Sequence, residues 1–260
     1  MVGKDDDIFD ERKICKVFMD LIPTLLDWVF PAKACSLCRV SGHFSHQSPW
    51  CEVCEQKLQE LKMRWQACDR CGKYMEPNRV LLCAECAEEF PAYAWGKAVG
   101  PYQGLYRRAV HQLKFSGQQI LAGAMGQKMV QAIHGDSKYQ RVDLIFPVPL
   151  TPMRERERGF HQTNLLAQVI GRSLQVPVSF RNLQRIRETL RQSELSREER
   201  IQNVQGAFRV AKPKELAGRQ ILLVDDVITT GATCKACAQI LLEAGAGQVV
   251  VLAWAAGVGF

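Results

Sequence analysis

From residue 95 onward the apolar positions follow two alternating rhythms. WGKAVGPY (95–102) is short, apolar and glycine-punctuated, as a strand is; 105–115 and 120–134 repeat apolar residues at helical spacing, with a Ser116-Gly117 break between them. VDLIFPVPL (142–150) is a nearly unbroken apolar run closed by prolines, the composition of a central parallel strand. A helix over 163–174 follows, then a stretch at 185–204 too charged for a core, then strand 220–224, helix 233–244 and strand 248–254. Strand–helix alternation of this kind predicts an α/β fold with a parallel sheet covered on both faces and right-handed crossovers. Ligands of such sheets sit beyond the carboxyl ends of the strands, where FPVPL and DDVITTGAT both fall.

Upstream of residue 93 that rhythm is missing. The longest apolar stretch, ICKVFMDLIPTLLDWVF (14–30), is interrupted by Lys16, Asp20, Pro23 and Asp27 and falls short of the about 20 apolar residues of a membrane span, so it reads as an amphipathic helical lead-in with no membrane insertion. The basic start and small-residue cleavage site of a secretory signal are also missing, which makes the cytoplasm the expected compartment. The expected division is a lead-in at 1–33, a cysteine-rich unit at 34–92 and an α/β domain at 93–260.

Eight of the 11 cysteines define the middle unit. They form four C-x2-C pairs: Cys35 and Cys38, Cys51 and Cys54, Cys68 and Cys71, Cys83 and Cys86. A two-residue gap lets both sulfurs of a tight turn meet one tetrahedral metal, and spacers of 12 and 11 residues suit two knuckles each. Two structural zinc ions are expected. Sequential pairing is the simpler arrangement, and the spacing also allows a cross-braced one. Four thiolates leave no open position for water, so the metal replaces a core that so short a segment could hardly build. Cys234 and Cys237 repeat the spacing inside an apolar-periodic helix, where they read as small buried thiols.

The net charge of +7 is uneven: 12 Lys/Arg stand against 15 Asp/Glu up to Tyr93, and 22 against 12 from Ala94 onward. An anionic partner is therefore expected at the second part, above all along 154–200 with its ten arginines and six glutamates. The cysteine-rich unit lacks a generic phosphate-gripping surface, although Arg64, Trp65 and Arg70 could form a local patch; Trp50 and Trp65 read first as cover for a thin core. His111 and Lys114, three apart on a helix, read as a surface histidine and a snorkelling lysine.

ILLVDDVITTGAT (221–233) carries the chemistry. Two adjacent carboxylates, Asp225 and Asp226, repel one another, so a fold that keeps them beside a buried strand holds something positive or hydroxyl-bearing there. Thr229, Thr230, Gly231, Ala232 and Thr233 offer successive amides and three hydroxyls at a helix N-terminus, an anion cradle. Acids that accept from a diol, next to a cradle for phosphate, describe a site for a ribose 5-phosphate.

This order of apolar strand, two acids and T-T-G-x-T resembles the signature of type I phosphoribosyltransferases. With FPVPL, RERERGFHQTN and RETLRQSELSREERIQNVQGAF behind paired-cysteine ribbons, the chain from Cys35 on resembles the ComF/GntX family of competence-related proteins, with His161 where that family's RGFNQ element has Asn. The resemblance implies a phosphoribosyltransferase-like domain behind a double zinc ribbon. It implies phosphoribosyl pyrophosphate and magnesium as ligands, with Asp225 and Asp226 as the catalytic acids on the ribose hydroxyls and Thr229, Thr230, Gly231, Ala232 and Thr233 on the 5-phosphate. Val148, Pro149 and Leu150 would take the pyrophosphate with Arg154, Arg156 and Arg158 nearby. The stretch 187–200, beginning with Arg187, would be a mobile flap; SELSREER within it also reads as an ordinary solvated helix start with a capping box. Two functions remain open at this point. One is a protein of DNA uptake that handles single-stranded DNA together with DNA-uptake proteins; the other is an active phosphoribosyltransferase with an unidentified acceptor.

Overall fold

Among the described residues, two small hairpin-and-helix units come first. In one, β1 (Lys33–Ala34) pairs antiparallel with β2 (Ser41–Gly42) ahead of α1 (Glu52–Met63); in the other, β3 (Gln66–Ala67) pairs with β4 (Tyr74–Met75) ahead of α2 (Ala84–Glu88). The remainder supplies β5 (Trp95–Pro101), α3 (Gly104–Phe115), α4 (Ile120–Ile133), β6 (Leu144–Pro147), α5 (Pro152–Arg158) and α6 (Gln162–Leu174). A short antiparallel pair follows, β7 (Leu183–Arg185) with β8 (Phe208–Val210), and then β9 (Gln220–Ile228), α7 (Ala232–Glu243) and β10 (Gln248–Ala256). The structure, a computed structural model, describes residues 33–42, 48–78, 80–115, 120–187, 204 and 206–259. The lead-in before residue 33, the Ser116-Gly117 break and the flap stretch 188–203 lie outside the described residues.

Strands β5, β10, β9 and β6 form one sheet in that order, every pairing parallel. The α/β expectation holds because β9 and β10 read as near-continuous apolar runs, buried on both faces as a central parallel strand must be. Their side chains alternate between two clusters. Ile221, Leu223, Val251 and Ala253 pack on one side with α7, whereas Leu222, Val224, Leu252 and Trp254 pack on the other with α3, α4 and α6.

The cysteine-rich unit is built into both of these layers. Cys35 and Cys54 belong to the cluster of Leu222 and Trp254, and Cys68, Cys71 and Cys86 to that of Leu223. Trp50 places its ring 6.1 Å from Trp254, which also meets Tyr106 at 5.2 Å and donates from Nε1 to the Tyr106 carbonyl at 3.1 Å. On the opposite layer Gly96 donates its amide to the Arg70 carbonyl at 2.9 Å, and a Cβ at Gly96 would fall 2.5 Å from the Cys71 oxygen, so only glycine lets the two backbones approach.

Strand β9 is longer than the expected 220–224. It runs to Ile228, whose register partner in β10 is Ala256, so Asp225 and Asp226 lie inside the ladder rather than beyond it. Strand β6 stops at Pro147 opposite Val224. The acids are therefore flanked by β10 on one side and by an ended strand on the other.

Candidate functional site

Adjacent strand residues point to opposite faces, and the acid pair obeys this rule. Asp225 turns toward α7, where Cys234 Sγ lies 3.7 Å from its Oδ2; Asp226 turns toward α3, where Lys114 Nζ lies 2.7 Å from its Oδ2. Both acids are buried. The Lys114 contact is an ion pair without the direction of a hydrogen bond, since Oδ2 has no hydrogen-bond partner in the described structure. Asp225 Oδ1 accepts the Asp226 amide at 2.8 Å. Burial, and then the neighbouring Asp226 charge, push the Asp225 carboxyl up to about 8, so it holds its proton at neutral pH. One buried pair thus contains a protonated acid on one face and a carboxylate with a built-in cation on the other.

The sheet leads from this pair into the Thr-Thr-Gly turn. Gly231 caps α7 with φ +77°, a left-handed conformation that costs an L-residue roughly 1–2 kcal/mol. It has no side chain to cap the helix, and the Ala232 amide is met instead by Thr230 Oγ1 at 3.3 Å. Thr229, Thr230 and Thr233 are half-buried, while Gly231 and Ala232 are buried. The first-turn amides of a helix lack i−4 carbonyl partners, which makes this corner a natural place for an anion.

A second loop, Val148 to Thr151, leaves the end of β6 beside the same strand, its Val148 amide donating to the Val224 carbonyl at 2.8 Å. Its shape is fixed by a relay that starts on the N-cap of α6. The Leu150 amide donates to His161 Nε2 at 3.0 Å, which makes Nδ1 the protonated nitrogen; Nδ1 donates to Thr163 Oγ1 at 2.9 Å, and that hydroxyl donates to the Val148 carbonyl at 2.8 Å. Val148 is buried, and the Leu150 amide is taken up by the imidazole. Helix α5 follows with Arg156 exposed; Arg154 and Arg158 belong to the same helix. Arg187 is exposed just past β7.

The structure places Asp225, Asp226 and Thr229 through Thr233 on one strand and the turn that follows it, with Val148 and Pro149 across from them on the neighbouring strand's exit. Two participants escaped the sequence reading. Lys114 is no snorkelling surface lysine but the partner of Asp226, and His161 holds the loop after β6. A lysine two residues before the Ser116-Gly117 helix break was the available signal for the first; the RGFHQT string was the signal for the second. Cys234 and Cys237 are fully buried on α7, as expected of small apolar thiols.

The cysteines gather as two tetrads, Cys35, Cys38, Cys51 and Cys54, and Cys68, Cys71, Cys83 and Cys86, with all four sulfurs of each within 4.8 Å of one another. This is sequential pairing. Zinc–sulfur bonds of about 2.3 Å set tetrahedral sulfur–sulfur edges near 3.8 Å, and the Cys35–Cys54 and Cys38–Cys51 separations are both 3.8 Å. The knuckle amides aim at sulfur: Cys38 and Cys51 donate to Cys35 Sγ at 3.4 and 3.3 Å, and Cys83 donates to Cys68 Sγ at 3.3 Å. Burial raises the Cys35 thiol, but these amides outweigh it and bring it down to about 6; its sulfur neighbours and the knuckle amides hold the Cys68 thiol far below the ordinary range. Each tetrad fits one closed tetrahedral zinc, a structural ion with no position for substrate.

Residues 25–87 match the model of the double zinc ribbon domain. The "DNA utilization protein YhgH" of Salmonella typhimurium is 33% identical over 84% of this chain and 94% of its own length. "Competence protein F" of Haemophilus influenzae is 28% identical over 84% of this chain and 94% of its own, and "Competence protein ComFC" of Bacillus subtilis 26% identical over 81% and 89%. Among solved structures, the glutamine phosphoribosylpyrophosphate amidotransferase of B. subtilis complexed with ADP and GMP is 22% identical, with a TM-score of 0.34, over 50% of this chain and 25% of that one. No described helix is long and apolar enough to cross a membrane. Ribbon tetrads, parallel sheet and similarity along most of the chain lead to one conclusion: the chain belongs to the ComF/GntX family.

Proposed function

We propose that this protein serves DNA uptake and utilisation by handling single-stranded DNA, and that it binds phosphoribosyl pyrophosphate with magnesium at the end of β9. The role in DNA is supported by relatives named for competence and DNA utilisation. The observation that carries the ligand reading is the placement of Asp226: a buried carboxylate, beside the end of β6, on the strand that opens into the Gly231 turn.

In this reading the 5-phosphate lies against the amides and hydroxyls of Thr229 through Thr233. The ribose hydroxyls take Asp226 as acceptor, which exchanges its contact with Lys114 for the diol, while Asp225, turned to the opposite face against α7, holds the Asp226 amide. The pyrophosphate lies toward Val148, Pro149 and the arginines of α5, with Arg187 at the entrance. Magnesium would be held mainly by the ligand and water rather than by a protein cage, and would supply charge neutralisation for the pyrophosphate.

An active transferase on the same site is the second reading, favoured by the exposed Arg156 beside the loop that would receive the leaving group. A nucleophile would form a bond to the anomeric carbon as the carbon–oxygen bond breaks; pyrophosphate would leave with the electron pair, and the nucleophile would release its proton to water. Calorimetric titration with phosphoribosyl pyrophosphate and magnesium separates the proposals. Binding that is lost in Asp226→Asn supports the ligand site, and no heat with the wild type refutes it. Pyrophosphate release on adding nucleobases would establish turnover.

A further inference from the structure

A chain of cations and aromatic rings crosses from the second ribbon to the amino-terminal edge of the sheet. The Arg70 guanidinium, in the Cys68–Cys71 knuckle, lies over the ring of Phe90 at 4.7 Å and over that of Trp95 at 5.0 Å, and Lys138 Nζ lies over Trp95 at 4.1 Å. Trp95 is the first residue of β5. No carboxylate pairs with Arg70 among the described residues. The acid nearest Lys138 in sequence, Asp136, is already held by Lys97 at 2.7 Å. Phe90 remains 57% exposed although Arg70 lies over its ring, so it keeps apolar surface open to solvent.

The row continues into polar ground. The Lys138 carbonyl accepts from Gln220 Nε2 at 2.9 Å, and Gln220 lines a surface depression with Gln140, Arg141, Asp143 and Gln248. These residues stand at or just before the starts of β6, β9 and β10. Asp225 lies five residues further along β9, roughly 16 Å of strand, so this surface is separate from the acid pair and its turn.

Positive charge alone would suit any acidic partner. Cations interleaved with rings at stacking distance suit a strand of unpaired bases, which offers a π-face and a phosphate at each step. We propose that the Phe90–Arg70–Trp95–Lys138 row is a binding platform for single-stranded nucleic acid, with Phe90 stacking on a base and Lys138 neutralising a phosphate. The proposal rests on the DNA-handling reading for its choice of DNA as the physiological ligand. Arg70 is a poor probe, because its guanidinium packs on both rings and its Nε is buried, so its loss would disturb the ribbon itself. Phe90 and Lys138 can be changed at the surface.

The test is fluorescence anisotropy of a labelled oligothymidylate with the full-length, zinc-loaded protein across a salt series. Phe90→Ala is expected to weaken binding about tenfold, and Lys138→Gln to reduce the slope of log K against log salt by about 0.7. Both variants should keep the melting temperature and the phosphoribosyl pyrophosphate titration of the wild type. If the wild type binds the oligonucleotide and neither variant changes affinity or slope, the platform is wrong while the DNA-handling reading stands. If the wild type does not bind it at all, both fall. Displacement of the oligonucleotide by polyglutamate at equal charge concentration would also overturn the platform, since charge alone would then explain the binding.

Discussion

Lys114 Nζ stands 2.7 Å from Asp226 Oδ2, the last turn of α3 supplying a cation to a carboxylate inside β9. The side chains are 20% and 6% exposed, so neither charge is well solvated. Removing one partner of such a pair strands the other. Lys114→Met should cost on the order of 3 kcal/mol in urea unfolding, and Lys114→Met with Asp226→Asn should recover most of that loss. A double variant as unstable as the single one would show that the pair does not act as a unit.

Asp225 sets a pH dependence. Its folded carboxyl titrates near 8, against an ordinary value of 3.8, so between those limits the folded state holds a proton that the unfolded state has lost. Stability carried by this group is therefore complete below pH 3.8 and declines as pH rises toward 8. Asp225→Asn should remove that decline and raise the melting temperature at pH 8, each kcal/mol being worth about 2–4 °C in a chain of this size. Melting curves of both proteins from pH 5 to pH 8.5 check it; parallel curves would contradict it.

The relay through His161 is expected to matter to the loop rather than to the core. His161→Ala leaves the Leu150 amide without its acceptor and Thr163 Oγ1 without its donor, a cost of about 1–3 kcal/mol. Hydrogen exchange should show the Leu150 amide losing protection while β9 and β10 keep theirs. A uniform loss across the sheet would contradict the assignment.

Zinc removal has a sharper signature. Both tetrads share hydrophobic clusters with the sheet, so a strong chelator should release two zinc ions per chain, expose eight thiols to a thiol reagent and lower the melting temperature of the α/β layers as well. Unchanged unfolding of the sheet after complete loss of metal would mean that the ribbons are energetically separate.

Much of this was legible in the sequence because spacing and period are strong local signals. C-x2-C pairs at fixed intervals identified both tetrads, a near-continuous apolar run identified β6, and strand–helix alternation identified β9 and β10. The sequence reading ended β9 at Val224 since the next two residues are acids, and burying carboxylates is costly. What overrode that cost is tertiary: the ladder with β10 continues to Ile228, one acid stays protonated and the other meets Lys114, 112 residues earlier in the chain. Local pattern gives no access to such long-range pairings, nor to a histidine whose partners are a backbone amide and a hydroxyl. Arg70 likewise found Phe90 and Trp95 rather than Trp65, which packs against the cluster of the second tetrad.

The most direct test is a crystal structure with phosphoribosyl pyrophosphate and magnesium bound. The account predicts the 5-phosphate against Thr229 through Thr233, the ribose hydroxyls on Asp226, and Lys114 withdrawn from that carboxylate. A ligand bound elsewhere, with the Lys114–Asp226 contact intact and the Gly231 turn vacant, would contradict it.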